Sequence, residues 1–178
     1  MPVIIFMMVS LPMENILVRS LLGVSYDIWV LPGLIFIISS LVLFPLLHRD
    51  FFDLRIHNKV LGNIALAPYS KNMMIMSYLF VAGMEALVAA LISMVIYSGF
   101  ISFTFSFAQF GFMVLCLLLY ILILGNLFIT VSLLTESITS HLFITFMIFI
   151  IILFGSGLII EFSFFPRVVE TVLIFQPL

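Results

Sequence analysis

The sequence predicts an all-α integral membrane protein with about four membrane-spanning helices. Of its 178 residues, 65% are hydrophobic and only 8% are charged, whereas soluble domains carry roughly a quarter charged residues. The longest uncharged run, residues 86–135, exceeds twice the ~20 residues that one helix needs to cross a bilayer. The apolar stretches of the sequence show no period-two alternation of apolar and polar residues, which membrane-barrel strands would have. Helices are therefore the expected spanning form.

The first clear span is predicted at residues 29–47, between Asp27 and His48. Pro32 indicates its start, because proline is tolerated in the first turn of a helix. The preceding residues 1–12 are apolar but have no Lys or Arg ahead of them, so they make a poor secretory signal. They are also too short to span the bilayer alone.

Three further spans are predicted, at residues 72–98, 106–134 and 142–160. The first two are separated by a break at Tyr97-Ser98-Gly99 or in the aromatic and polar stretch that follows it, and the last follows the polar cluster 135–137. The tail, residues 161–178, is too short to cross the membrane. It is predicted to form an external re-entrant or surface helix, with an ordinary loop as the alternative.

Basic residues predict the orientation of these spans. Four of the six lie in the segment 48–71, at Arg49, Arg55, Lys59 and Lys71. The positive-inside rule therefore places 48–71 in the cytoplasm. Residues 135–141 are then inside as well, whereas the 98–105 turn and the tail are outside.

The segment 48–71 has the pattern of an amphipathic helix. Apolar residues recur every four positions, and polar ones take the other side. One interpretation is a loop that only anchors the topology. The other is a docking element for a cytoplasmic partner, favoured slightly by its mixed charges. The polar candidates are Asp53, Arg55, His57, Asn58 and Lys59.

Glu85 lies near the centre of the second span. A charge there is costly, so the carboxyl group is expected to face the bundle interior and to be protonated or paired. It is interpreted either as part of a substrate or proton path, or as a partner in an interhelical hydrogen bond, for instance to Asn126. Alanines at 82, 86 and 90 form a small-residue stripe that allows close helix packing.

The residues that most often carry catalysis or metal binding, Cys and His, are few in this sequence. Cys116 is the single cysteine and lies in an apolar run, so it is interpreted as a buried hydrophobe. None of His48, His57 and His141 has ligand spacing with another His, Cys or carboxylate on one helix face, so no metal site is expected. There is no glycine-rich phosphate loop or nucleophile elbow. With a net charge of −2, nothing favours nucleic acid, and the expectation is a protein that is not an enzyme and holds no cofactor.

An ordered set of short motifs covers residues 28–178: Leu31-Pro32-Gly33, the charged segment 49–71 with Gly62, Pro68-Tyr69-Ser70, Ser156-Gly157, Pro166 and Pro177-Leu178. In this order they resemble the permease subunits of ABC-2 type exporters. Such permeases have a Pro-Gly at a helix start, a cytoplasmic charged segment and a P-x-S turn. A Ser-Gly, a short external helix and a Pro-Leu pair follow.

The resemblance implies an ABC-2 permease-like bundle in which a coupling helix, within residues 50–67, docks a cytoplasmic ATP-binding cassette ATPase. It also implies a second permease copy or paralogue, with ATP bound by the partner. The substrate would be hydrophobic, lipid-like or a peptide, and the membrane a prokaryotic plasma membrane or an organelle inner membrane. The family has six helices. Here the first appears only as residues 1–12 and the sixth is missing, so the chain is expected to be either partial or a reduced member.

Two other functions stay open at this stage. The related haem-export permease of cytochrome maturation fits the same motifs. A structural or proton-path subunit of a respiratory-chain complex would suit Glu85 and the Phe- and Ile-rich composition. A membrane enzyme acting on lipid is disfavoured, because such enzymes place several His or Asp residues near the interface.

Overall fold

The computed structural model describes residues 2–14, 26–56, 59, 60, 62, 66, 70–100, 106–157, 159, 162 and 165–174. Its regular elements within these ranges are all helices. Four of them are long and apolar enough to cross a membrane. The predicted class, an all-helical multi-pass membrane protein, is therefore supported at this level.

Six helices are described: α1 (residues 2–14), α2 (26–56), α3 (Lys71–Phe100), α4 (Phe107–Leu134), α5 (Ile138–Gly155) and α6 (Arg167–Ile174). The spanning helices are α2 to α5. Two contain a π-helical stretch, Phe6–Ser10 in α1 and His48–Asp53 in α2. α3 and α4 nearly coincide with the predicted spans 72–98 and 106–134.

α2 differs most from its predicted span of 29–47. It begins at Tyr26, so Pro32 lies inside the helix rather than in its first turn. Beyond Leu47 the helix does not end at the charged residues but continues through a π-helical stretch to Ile56. The burial of Phe51 and Phe52 against the bundle explains this continuation. Residues 48–56 therefore continue α2 and do not begin a separate helix.

α5 also differs from its predicted span, 142–160. It begins at Ile138 because the Ser137 side chain caps it, accepting a hydrogen bond from the Ser140 backbone N–H. It ends at Gly155, just before Gly157 adopts a φ of +70°. Of the predicted external segment 161–178, residues 167–174 form α6, directly after Pro166.

The spanning helices pack in a simple up-and-down order. α2 and α3 are antiparallel, with Phe51 of α2 against Tyr78 of α3 near one end. α3 and α4 are also antiparallel and approach closely where Gly83 faces Ile121 and Gly125 faces Leu79. The alanine stripe of α3 (Ala82, Ala86 and Ala90) is buried, as its spacing predicts.

The bundle has two distinct ends. At one, which we call the basic end, α2 and α4 finish and α3 and α5 begin, and Arg49, Arg55 and Lys71 lie there. At the far end, the Tyr97 hydroxyl donates to the Pro2 carbonyl at 2.9 Å and the Tyr26 hydroxyl to the Ile159 carbonyl at 3.3 Å. α1 and the chain after α5 are thus tied to the far end.

Replacing Gly157 by alanine is expected to lower the free energy of unfolding by about 1–2 kcal/mol, the cost of a left-handed backbone for a residue with a Cβ. The added Cβ would also lie 2.8 Å from Cζ of Phe162. Denaturation in detergent micelles, followed by circular dichroism, measures the effect. Gly111→Ala is the control, because its Cβ would have no neighbour within 4 Å in α4. Equal effects at both glycines would contradict the strain at Gly157.

Candidate functional site at the basic end

A cluster of stacked rings joins α2 to α5 at the basic end. Phe44, His48 and Phe52 recur every four residues, so they share one face of α2. His141, in the first turn of α5, packs against all three. Its ring centroid lies 4.5 Å from that of Phe52, 4.9 Å from that of His48 and 5.8 Å from that of Phe44. We call these four side chains the histidine cluster.

The hydrogen bonds of His141 indicate its tautomer. The side chain is only 1% exposed, and its Nδ1 lies 3.1 Å from the Thr135 hydroxyl. That hydroxyl donates to the Val131 carbonyl, so it accepts from Nδ1, and Nδ1 carries the proton. Nε2 is then an unprotonated acceptor with no hydrogen-bond partner in the described ranges. The Thr145 hydroxyl, one turn further along α5, is likewise buried and unbonded there.

Charged residues of α2 border the cluster. Nε2 of His48 lies 3.8 Å from a carboxylate oxygen of Asp53. The two Nη groups of Arg55 donate to the carbonyl oxygens of Leu133 and Thr135. These carbonyls end α4 and have no partner within the helix, and a cation is favourable at that position. The end of α2 is therefore bonded to the end of α4.

The predicted docking residues do not all lie on the one free polar face that the amphipathic pattern predicts. Arg55 is half-buried and bonded within its own bundle, so it does not lie on a free polar face. The Asp53 side chain is 38% exposed. Lys59 is exposed and has a φ of +52°. His57 and Asn58 lie outside the described residues.

The two intramembrane candidates, Glu85 and Asn126, do not meet. Glu85 lies on the exposed face of α3, beside Val42 and Val88. The prediction that it faces the interior of its own bundle is wrong for the single chain. Asn126 is exposed as well, and its Nδ2 donates to the Leu122 carbonyl of its own helix at 2.7 Å. The hydrogen bond suggested between the two is therefore not formed.

In the sequence, His48 and His141 are two separate residues near predicted helix ends. They stand 93 positions apart, and no local pattern joins them. The available signal was topological, because the predicted orientation places residues 48–71 and 135–141 at the same end of the bundle. In the described ranges no three His, Cys, Asp or Glu side chains converge as metal ligands do.

Two apolar cavities lie between the spanning helices, towards the far end. The first, about 260 Å³, is bounded by α2, α4, α5 and Ile159, with Phe36, Tyr120 and Ile152 in its wall. At its edge the hydroxyls of Ser40 and Tyr120 are hydrogen-bonded at 2.6 Å. The second, about 310 Å³, shares Phe36 and Cys116 with the first. Both suit hydrocarbon rather than a charged group.

Comparison with protein-family models, with curated proteins and with solved structures finds no match to the chain.

Proposed function

We propose that the chain is the transmembrane permease subunit of an ATP-driven ABC-2 type exporter. It moves a hydrophobic, lipid-like or peptide substrate, and a separate cytoplasmic ATPase binds and hydrolyses the ATP. In this proposal the basic end faces the cytoplasm of a prokaryote or the interior of an organelle. The order of motifs along residues 28–178 suggests the family.

The observation that carries the proposal is the attachment of the charged end of α2 to two other spanning helices. Arg55 bonds the last carbonyls of α4, and His48 stacks on His141 of α5. A force applied by a partner to residues beyond Ile56 is therefore passed to α2, α4 and α5 together. Transmission through packed side chains and hydrogen bonds of this kind is how distant sites are coupled.

The same three helices form the wall of the first apolar cavity, the one of about 260 Å³. A movement of the basic end would change the spacing of α2, α4 and α5 and hence the width of that cavity. An apolar lining accepts hydrocarbon without leaving polar groups unpaired. This arrangement supports a hydrophobic substrate whose binding depends on the state of the ATPase.

Cross-linking at Lys59 tests the proposal. The variant is Lys59→Cys in a Cys116→Ala background, which removes the only native thiol. A bifunctional thiol–amine reagent applied to membranes is expected to join it to a protein that binds ATP in a nucleotide-affinity assay. Ser106→Cys is the control, because Ser106 is exposed at the far end. If the Lys59 variant captures no ATP-binding protein, or the Ser106 variant captures it equally, the exporter proposal fails.

A second candidate is a membrane subunit of a respiratory-chain or haem-export complex. The buried Nε2 of His141, which has no hydrogen-bond partner in the part of the chain that the structure describes, favours it, since an imidazole nitrogen can accept or pass a proton. Co-purification distinguishes the two. Redox subunits found with the tagged chain, in place of an ATPase, would favour the respiratory-chain form of this candidate.

A further inference from the structure

The exposed face of α3 carries a regular seam. Val81, Glu85, Val88, Ile92, Val95 and Gly99 follow one another at alternating steps of four and three residues, and all six are exposed. This 3.5-residue spacing is the pattern by which two helices pack along a common left-handed contact. Membrane helices commonly cross with the same geometry. The seam, defined by these six residues, therefore has the shape to receive another helix.

The seam contains one polar residue, Glu85. It lies midway along α3, among apolar neighbours such as Val42 and Val88. Arg49 is within electrostatic range, but its guanidinium is hydrogen-bonded to Asp50 at 2.9 Å. Glu85 makes no hydrogen bond or ion pair with the described residues. Lipid tails cannot supply one, so a carboxyl group left facing them is strongly disfavoured.

We propose that the seam binds the same seam of a second copy of this chain, with the two Glu85 carboxyl groups hydrogen-bonded to each other at the centre. Copies inserted in the same orientation and related by a two-fold axis along the membrane normal place identical residues at equal depth. Two carboxyl groups that share a proton are complementary, because the protonated one donates to the other. A lipid chain offers no such partner.

The single polar position also sets the register and the number of copies. One polar residue in an otherwise apolar seam penalises any sliding that separates it from its partner. Two carboxyl groups satisfy each other, whereas a third would lack a partner. The inference extends the proposed function, which needs a second permease copy, but neither the seam nor its test involves the ATPase.

Disulfide formation in native membranes locates the contact. Single cysteines are placed at Val81, Val88, Ile92 and Val95 in the Cys116→Ala background. After oxidation each is expected to give a band at twice the chain mass of 20.2 kDa. Phe80→Cys is the control on the same helix, because Phe80 is exposed but lies off the seam. Equal cross-linking of the Phe80 and Val88 variants, monomer alone, or an adduct with a different protein would overturn the proposal.

Substitution of Glu85 tests the carboxyl pair. Glu85→Gln keeps a donor and an acceptor, so self-association measured by energy transfer in detergent or vesicles is expected to persist. Glu85→Leu removes both and is expected to raise the dissociation constant roughly three- to thirtyfold, the range for hydrogen bonds between membrane helices. Circular dichroism verifies that each variant is folded. An unchanged dissociation constant for Glu85→Leu would contradict the hydrogen-bonded pair of Glu85 carboxyl groups. Failure of the Lys59 cross-link would instead contradict the exporter proposal and leave the seam contact unaffected.

Discussion

Replacing Arg55 by methionine is expected to lower the free energy of unfolding by about 2–3 kcal/mol. Hydrogen bonds to charged groups contribute about 1.5–3 kcal/mol each. Water at the end of the bundle can bond the freed carbonyls, which offsets part of the loss. Arg55 is bonded to the carbonyls of Leu133 and Thr135. Methionine keeps much of the apolar stem but no donor. The carbonyls at the end of α4 would then lose the guanidinium that bonds them. Denaturation in detergent micelles gives the loss.

The matched control is Arg49→Met. The Arg49 side chain is 67% exposed, and among the described residues its guanidinium is hydrogen-bonded to the neighbouring Asp50, so its loss is expected to leave stability almost unchanged. The stability of Arg55→Lys is expected to lie between that of Arg55→Met and that of the unmodified chain, because an ammonium group cannot reach two carbonyls as the guanidinium fork does. If Arg55→Met were as stable as Arg49→Met but lost a cytoplasmic partner, Arg55 would be a docking residue, as its sequence context suggested.

The spanning helices were predictable because lipid imposes a simple requirement. An apolar run long enough to cross the membrane must be helical. The observed bounds of α3 and α4 accordingly lie within two residues of the predicted spans 72–98 and 106–134. The end of α2 was not predictable on that basis. A cluster of charges, here from His48 to Asp53, ordinarily ends a membrane helix. In this chain, burial of Phe51 and Phe52 continues the helix.

The candidate site was predictable only in part. The sequence placed Asp53 and Arg55 in one charged segment, but their neighbours come from α4 and α5, which no local pattern identifies. Helical spacing fixes which residues share a face, not which helix that face meets. The same limit applies to Glu85. Its avoidance of lipid was inferred from the cost of burying charge, but the single chain leaves it exposed.

Replacing Ala86 by leucine is expected to lower the free energy of unfolding by about 3 kcal/mol, at the upper end of the cost of overpacking. Ala86 has no exposed surface and lies at the middle of the buried alanine stripe of α3. α3 packs most extensively against α2, and small residues are what let membrane helices approach closely. The larger side chain would force α3 away from the helices that bury Ala86. Denaturation in detergent micelles measures the loss.

The control is the same chemical change at Ala108, which is exposed on the first turn of α4. Ala108→Leu is expected to be neutral because the added atoms point away from the bundle. Separation of α3 from α2 would also shift α2 relative to α4, where Ser40 meets Tyr120. Ala86→Leu should therefore disturb the first cavity, which Tyr120 and Cys116 line, with faster labelling of Cys116 by an apolar maleimide. If Ala86→Leu were as stable as Ala108→Leu, the close approach at the alanine stripe would be contradicted.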